Sequence, residues 1–273
     1  MWGYNKLLKL DPDEDKNNLV YGSALHAGAE DYVLHRDMAK AQSVAIKEIQ
    51  EAKQITNREY QLQVIPALLV GWAMHWLPGF EAEYTIVEPE QAFAYFPHPL
   101  VHYRGKKDLR ARNKRTGGIS IWDYKTSGQA NGGDLAKEIH INRQLAIYAI
   151  DEMRKTGAWP EAVGLVFIQK PKSKTNIFEA ANEARTKAAN YHHKLVQVTP
   201  RFAQFAISVE AADVLEAQQM LQYRELFKQR GLEAFEYIPP NFTNCYSYGR
   251  ECGYAKGCHS GNPCHRTLKR NTP

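Results

Sequence analysis

What the 273-residue chain lacks narrows its chemistry. No apolar run approaches the roughly 20 residues of a membrane-spanning helix, which excludes a helical membrane span. The start, Met1-Trp2-Gly3-Tyr4-Asn5-Lys6, has no apolar core segment of a secretory signal, so the expected location is the cytoplasm. No Gly-rich loop ending in Gly-Lys-Ser/Thr is present, so the chain is not expected to be a nucleotide-driven motor. Internal repeats and low-complexity tracts are absent. Cysteine is scarce, with 4 residues, all near the C-terminal end. In the cytoplasm such cysteines read as thiols or metal ligands rather than disulfides.

What is present is an ordinary globular composition. Hydrophobic residues make up 44% and charged residues 24%, enough for a sizeable core. The formal net charge is +5 and the pI about 8.9, a mild basic excess that suits a polyanionic partner.

The stretch Ile121-Trp122-Asp123-Tyr124-Lys125-Thr126-Ser127 reads as a strand whose end is polar where a strand should be apolar. Side chains alternate at a period of two, so Ile121, Asp123 and Lys125 share one face. A second strand is expected from Val101 to Arg112, carrying Gly105-Lys106-Lys107-Asp108, with Asn113-Lys114-Arg115-Thr116-Gly117-Gly118 as the turn between them. In a regular hairpin Asp108 and Asp123 oppose each other, with Cβ atoms about 4.5–5.5 Å apart. Two carboxylates that close repel unless one is protonated or a cation lies between them, and a divalent metal is the simplest relief. A bulge at the glycines would shift that register by one residue. Lys125 beside such a pair could orient a water and stabilise charge on a pentacoordinate phosphate. The competing reading is a surface hairpin with scattered charges, and Ile119, Ile121 and Trp122 argue against it.

Other elements follow from pattern. Gly22-Ser23 is expected to open a long helix towards Ala52, with Ser23 as N-cap and His26 and Glu30 on one face. A second helical region spans roughly 57–76, kinked or split at Pro66. Phe80 to Val87 reads as a strand, and Pro89, Pro97 and Pro99 mark a loop. After a connector over 128–133, one helix is expected over 134–155, with Gln144 and Tyr148 one turn apart on one face. The apolar run from Ala162 to Lys170 fits a strand buried on both faces. Helices are expected over 176–191 and 211–230. This order predicts an α/β fold, a mixed central β-sheet flanked by helices, with a helical N-terminal part. Cys245, Cys252, Cys258 and Cys264, at C-x6-C-x5-C-x5-C spacing, form a Cys-rich C-terminal tail; thiolates suit either zinc or an iron–sulfur cluster.

Four separated pieces, in order, resemble the RecB-like branch of the PD-(D/E)XK nuclease superfamily, close to phage and CRISPR-associated exonucleases. They are Gly22-x-x-x-His26-x-x-x-Glu30, Gly105-x-x-Asp108, Asp123-Tyr124-Lys125-Thr126 and Gln144-x-x-x-Tyr148. The resemblance implies a restriction-endonuclease-like core over residues 1–240, with the tail 241–273 packing on the same domain. It implies that His26, Asp108 and Asp123 ligate Mg²⁺ or Mn²⁺, with the Tyr124 carbonyl as a further ligand. Lys125 would serve the water and the phosphate, and Gln144 and Tyr148 would support Lys125 and the DNA strand. Many members of the family hold a [4Fe–4S] cluster with three cysteines after the core and one before it. Here the upstream cysteine is absent and Trp2-Gly3-Tyr4 looks like the stretch that follows it. Either the start lies upstream, or Cys264 supplies the fourth ligand, or the site takes zinc or nothing. The function implied is a metal-dependent DNA exonuclease in recombination, repair or DNA processing, in a bacterial or phage-infected cell. A homo-oligomer or a helicase or recombination partner would fit it. The rival readings are a non-cutting or partner-dependent DNA-binding protein on the same fold, and a DNA endonuclease.

Overall fold

The computed structural model describes residues 10–11, 17–53, 55–128, 132–172, 176–230 and 269–270. The N-terminal helical stretch is two helices rather than one. α1 (Asn17–His35) and α2 (Met38–Glu51) are separated at Arg36, whose φ is 57°, and at Asp37, whose carboxylate caps α2 by accepting the Lys40 N–H at 3.0 Å. A residue at positive φ leaves the right-handed helix. Ser23 is not the N-cap: it lies inside α1, and its hydroxyl donates to Leu19 O at 3.1 Å.

Helix α3 (Arg58–His75) runs through Pro66 unsplit. Proline forfeits one helical hydrogen bond, but Val64, Ile65, Ala67, Leu68, Leu69 and Trp72 are all buried, and this packing holds the helix. α4 (Leu77–Glu83) has Pro78 in its first turn, where no N–H is needed, and displaces the strand expected from Phe80. The strand β1 (Tyr84–His98) begins at Tyr84 and passes straight through the proline region expected as a loop. It is an edge strand, where prolines are tolerated, and its register shifts between Ile86 and Glu88 and between Tyr95 and His98.

β2 (Val101–Asn113) and β3 (Ile119–Ser127) form the hairpin read from the sequence. Its turn is closed by the Asn113 side chain, which accepts the Arg115 and Thr116 N–H groups, and Gly117 takes φ 76°. The single helix expected next is broken into α5 (Gly133–Lys137), a 3-10 turn at Ile139–Ile141, and α6 (Arg143–Thr156). Asn142 Oδ1 caps α6 by accepting the Leu145 N–H at 3.0 Å. β4 (Ala162–Gln169) is buried throughout, as its apolar run predicts. α7 (Ile177–Thr186) stops early, and a strand absent from the sequence reading follows, β5 (Tyr191–Gln197). α8 (Pro200–Arg230) starts well before Ala211.

The sheet order is β1-β2-β3-β4-β5, antiparallel except for the parallel β3–β4 pair. It is the mixed, helix-flanked α/β sheet expected. One face packs Trp122, Tyr124, Val166 and Ile168 against α1, α2, α3 and α7. The other packs Ile121, Val163, Leu165 and Phe167 against α6 and α8. Gly164 lets Trp122 lie across β4, since a Cβ there would come within 2.4 Å of the indole ring.

By its contacts the chain divides into two units, Asp15–Ala212 and Met1–Glu14 with Asp213–Pro273. The first holds the sheet. In the second, Leu10–Asp11 pairs antiparallel with Lys269–Arg270, and Lys228 Nζ lies 2.7 Å from Glu225 Oε1. Cys245, Cys252, Cys258 and Cys264, and Trp2-Gly3-Tyr4, lie outside the described residues. Among the described residues no helix is long and apolar enough to cross a membrane.

Candidate active site

Strand alternation puts Asp123 and Lys125 on the α6 face of β3, next to buried Ile121. There Lys125 Nζ lies 2.7 Å from Asp123 Oδ2 and donates to Gln144 Oε1 at 2.7 Å. Gln144 Nε2 donates to Asp123 Oδ1 at 2.8 Å and to Tyr148 Oη at 2.6 Å. The single Tyr148 proton reaches Lys106 O at 2.8 Å, with Asp123 Oδ1 at 3.1 Å. The i, i+4 spacing on α6 thus places one amide and one phenol over the carboxylate and the ammonium.

The β2–β3 ladder pairs Leu109 with Trp122 and runs from there towards the turn. Asp108, the next residue outward, turns its Oδ2 onto the Tyr124 N–H at 2.6 Å. Its other oxygen lies 3.2 Å from His26 Nδ1 on α1. The His26 ring also meets Tyr124 edge-on at 5.7 Å. The donor atoms of His26, Asp108 and Glu90 all lie within 4.8 Å of one another. Asp123 sits outside that triad, in the cluster with Lys125.

Glu90 escaped the sequence reading because it falls in the stretch read as a proline-punctuated loop. It is one of only two non-glycine residues at positive φ among those described, at 49°, a conformation that costs free energy and is held by its surroundings. Lys106 Nζ lies 2.7 Å from its Oε2. Glu83 is exposed at the end of α4, and its carbonyl accepts the Lys114 N–H at 2.9 Å.

The electrostatics follow from burial. Asp123 is 2% exposed. Burial first, then the Asp108 carboxylate, pushes its pKa up to about 6, against the pull of Lys125. Burial disfavours the His26 cation, but the hydrogen bond to Asp108 and the charges of Asp108 and Asp123 together outweigh it and raise the pKa. Burial, and then Glu90, raises Glu30, one turn beyond His26.

A second polar network, unread in the sequence, fastens α6 to β2. Lys107, fully buried, lies 2.7 Å from Asp151 Oδ2 and 3.2 Å from Glu152 Oε2, and donates to Gln91 Oε1 at 3.1 Å. Arg110 donates to Glu152 through Nε and Nη2, at 3.1 and 2.8 Å. Burial alone would raise Glu152; the Arg110 bonds and Lys107 lower it instead. This network holds the helix that carries Gln144 and Tyr148.

Carboxylate oxygens and one imidazole make a donor set that fits a hard divalent cation such as Mg²⁺ or Mn²⁺. The buried Asp123 Oδ2 has no hydrogen-bond partner among the described residues and faces only the Lys125 ammonium. An ammonium so placed can stabilise charge developing on a phosphoryl oxygen.

Two solved structures are similar to this chain. One is a candidate exonuclease from Eubacterium rectale, 14% identical at TM-score 0.47, covering 100% of this chain and 83% of that one. The other is the protein SSO0001, 15% identical at TM-score 0.27, covering 76% of this chain and 81% of that one. Neither likeness bears on the chemistry of the site. No curated protein matches the chain. The family model that does match describes the PD-(D/E)XK nuclease superfamily and spans residues 1–259. The chain therefore belongs to the PD-(D/E)XK nuclease superfamily.

Proposed function

We propose that this nuclease is a metal-dependent DNA exonuclease serving recombination, repair or DNA processing. The observation that carries the reading is the double hold on Lys125, whose Nζ lies 2.7 Å from Asp123 Oδ2 and 2.7 Å from Gln144 Oε1 beside the His26–Glu90–Asp108 triad. Lys125 is aimed by its hydrogen bond to Gln144 and its ion pair with Asp123, so its ammonium can meet a phosphoryl oxygen without first being ordered. Gln144 fixes both Lys125 and Asp123, and Tyr148 fixes Gln144. His26, Asp108 and Asp123, with the Tyr124 carbonyl, are the residues that would hold Mg²⁺ or Mn²⁺; Glu90 stands beside them. Such an ion, when bound, supplies an activated water and offsets the charge of the phosphodiester. The four tail cysteines are assigned to a [4Fe–4S] cluster or zinc. Iron, zinc and visible absorbance on anaerobically purified protein separate the two.

The test is degradation of end-labelled linear DNA and of closed circular DNA with Mg²⁺ or Mn²⁺, beside Lys125→Ala. Linear DNA is expected to be degraded only with metal and only by the wild type. Cutting of the closed circle would replace the exonuclease with an endonuclease. Metal-independent binding without any hydrolysis would replace it with a DNA-binding or partner-dependent protein.

A further inference from the structure

The β1–β2 hairpin carries a surface that the chemistry described above does not use. β3 pairs with β2 only from Leu109 to Arg112, whereas β1 and β2 stay paired out to His98 and Val101. Residues 91–107 therefore form a two-stranded arm. At about 3.4 Å per residue it extends about 20 Å from Glu90 to Phe96.

The two faces of the arm differ by the alternation of its side chains. One face is seated: Phe93 packs edge-on against Tyr148 at 5.6 Å, and Tyr95 lies under Arg154 at 4.9 Å and beside Tyr103 at 5.2 Å. The other face is open, and presents Ala92, Ala94, Phe96, His102, Arg104 and Lys106, all exposed. Across the strands Lys106 pairs with Ala92 and Arg104 with Ala94, so small residues leave the two cationic side chains uncovered. Beyond them Phe96 and His102 stack with centroids 4.1 Å apart and planes 7° from parallel, while Phe96 stays 64% exposed. No acidic residue occurs in the sequence between Glu90 and Asp108. The open face begins at the candidate site: Lys106 Nζ pairs with Glu90 Oε2, and Lys106 O accepts the Tyr148 hydroxyl.

Resting on the nuclease reading, we propose that this face is a track for one unpaired strand of DNA adjoining the Asp108–Asp123 cluster. Arg104 and Lys106 meet backbone phosphates, and a base stacks on the Phe96–His102 platform. The pattern is that of single-strand binding surfaces, where cations follow the backbone and aromatic rings take bases regardless of sequence. An unpaired base has a free π face to offer such a platform. A base inside a duplex has both faces occupied by its neighbours.

The test uses the full chain in EDTA and an end-labelled oligonucleotide carrying 2-aminopurine, single-stranded or annealed as a blunt duplex. Stacking of one base contributes about 1–3 kcal/mol. Phe96→Ala/His102→Ala should therefore weaken single-strand binding by about 5- to 150-fold and abolish the quenching of 2-aminopurine, while duplex affinity changes little. Phe96→Trp, which keeps a ring, should retain both. Arg104→Ala should reduce the slope of log affinity against log salt by about 0.7. Metal-dependent hydrolysis of bis(p-nitrophenyl) phosphate, too small to reach the arm, should be the same in the double variant and the wild type. Its absence from the wild type would overturn the nuclease reading, independently of the strand-binding result. Unchanged single-strand affinity and quenching in the double variant, or equal losses for single strand and duplex, would overturn the track. So would a wild-type dimer that becomes monomeric in the double variant with single-strand binding intact, which would give the face to a second copy of the chain.

Discussion

Asp123→Asn should make the metal-free protein more stable above pH 6. In the wild type Asp123 is buried, accepts from Gln144, lies 3.1 Å from Tyr148 Oη and faces Lys125, yet its pKa is raised from 3.8 to about 6. The sign follows from linkage. The folded protein holds this proton more tightly than the unfolded chain, so ionising Asp123 costs stability. The cost is absent below about pH 3.8, grows between that value and about 6, and is complete above. A gap of about 2.2 on the pH scale, at 1.36 kcal/mol for each unit, amounts to about 3 kcal/mol. Asparagine carries no charge at any pH and keeps an oxygen for Gln144 or Lys125. For a unit of this size, about 3 kcal/mol is a rise of about 6–12 °C in melting temperature. Urea and thermal unfolding of both proteins in EDTA, from pH 4 to pH 8, measure it. The variant should be the more stable above pH 6, and the gap should close towards pH 4. A variant less stable than the wild type at pH 8, or a gap independent of pH, would refute the argument. Adding Mg²⁺ or Mn²⁺ should narrow the gap, because only the wild type retains the carboxylate to bind it.

Four further substitutions test the framework around the site. Lys107→Met leaves the buried Asp151 and Glu152 carboxylates short of a cation, and urea unfolding should show a loss of about 3–5 kcal/mol. Gly71→Ala places a Cβ 2.2 Å from Tyr191 Oη and 2.3 Å from Ala184 O and should destabilise by about 1–3 kcal/mol or more; Gly22→Ala, a helical position with nothing within 4 Å, should stabilise by about 0.5–1 kcal/mol in the same assay. Gln144→Ala removes the acceptor that aims Lys125 and should lower the rate of metal-dependent hydrolysis about 10- to 100-fold, with DNA affinity in EDTA nearly unchanged.

The features legible in the sequence were those that depend on near neighbours. A period of two put Asp123 and Lys125 on one face of β3, and one helical turn put Gln144 and Tyr148 together; the structure joins all four side chains by hydrogen bonds and an ion pair. The Asn113–Gly118 turn and the buried β4 run were readable for the same reason. Where several long-range contacts compete with a local rule, the local rule failed. Pro66 sits in an unbroken helix because the residues around it are packed on other elements. Pro89 lies within an edge strand because β2 pairs with it from one side. Glu90 joins His26 and Asp108 only through the register of β1 on β2 and a backbone turned to positive φ. Lys107 becomes buried only because α6 brings Asp151 and Glu152 to it. Alternation and turn chemistry are written in adjacent residues. Which distant carboxylate completes a triad, and which lysine leaves water, is set by strand register and helix docking, and these exist only once the whole sheet has formed.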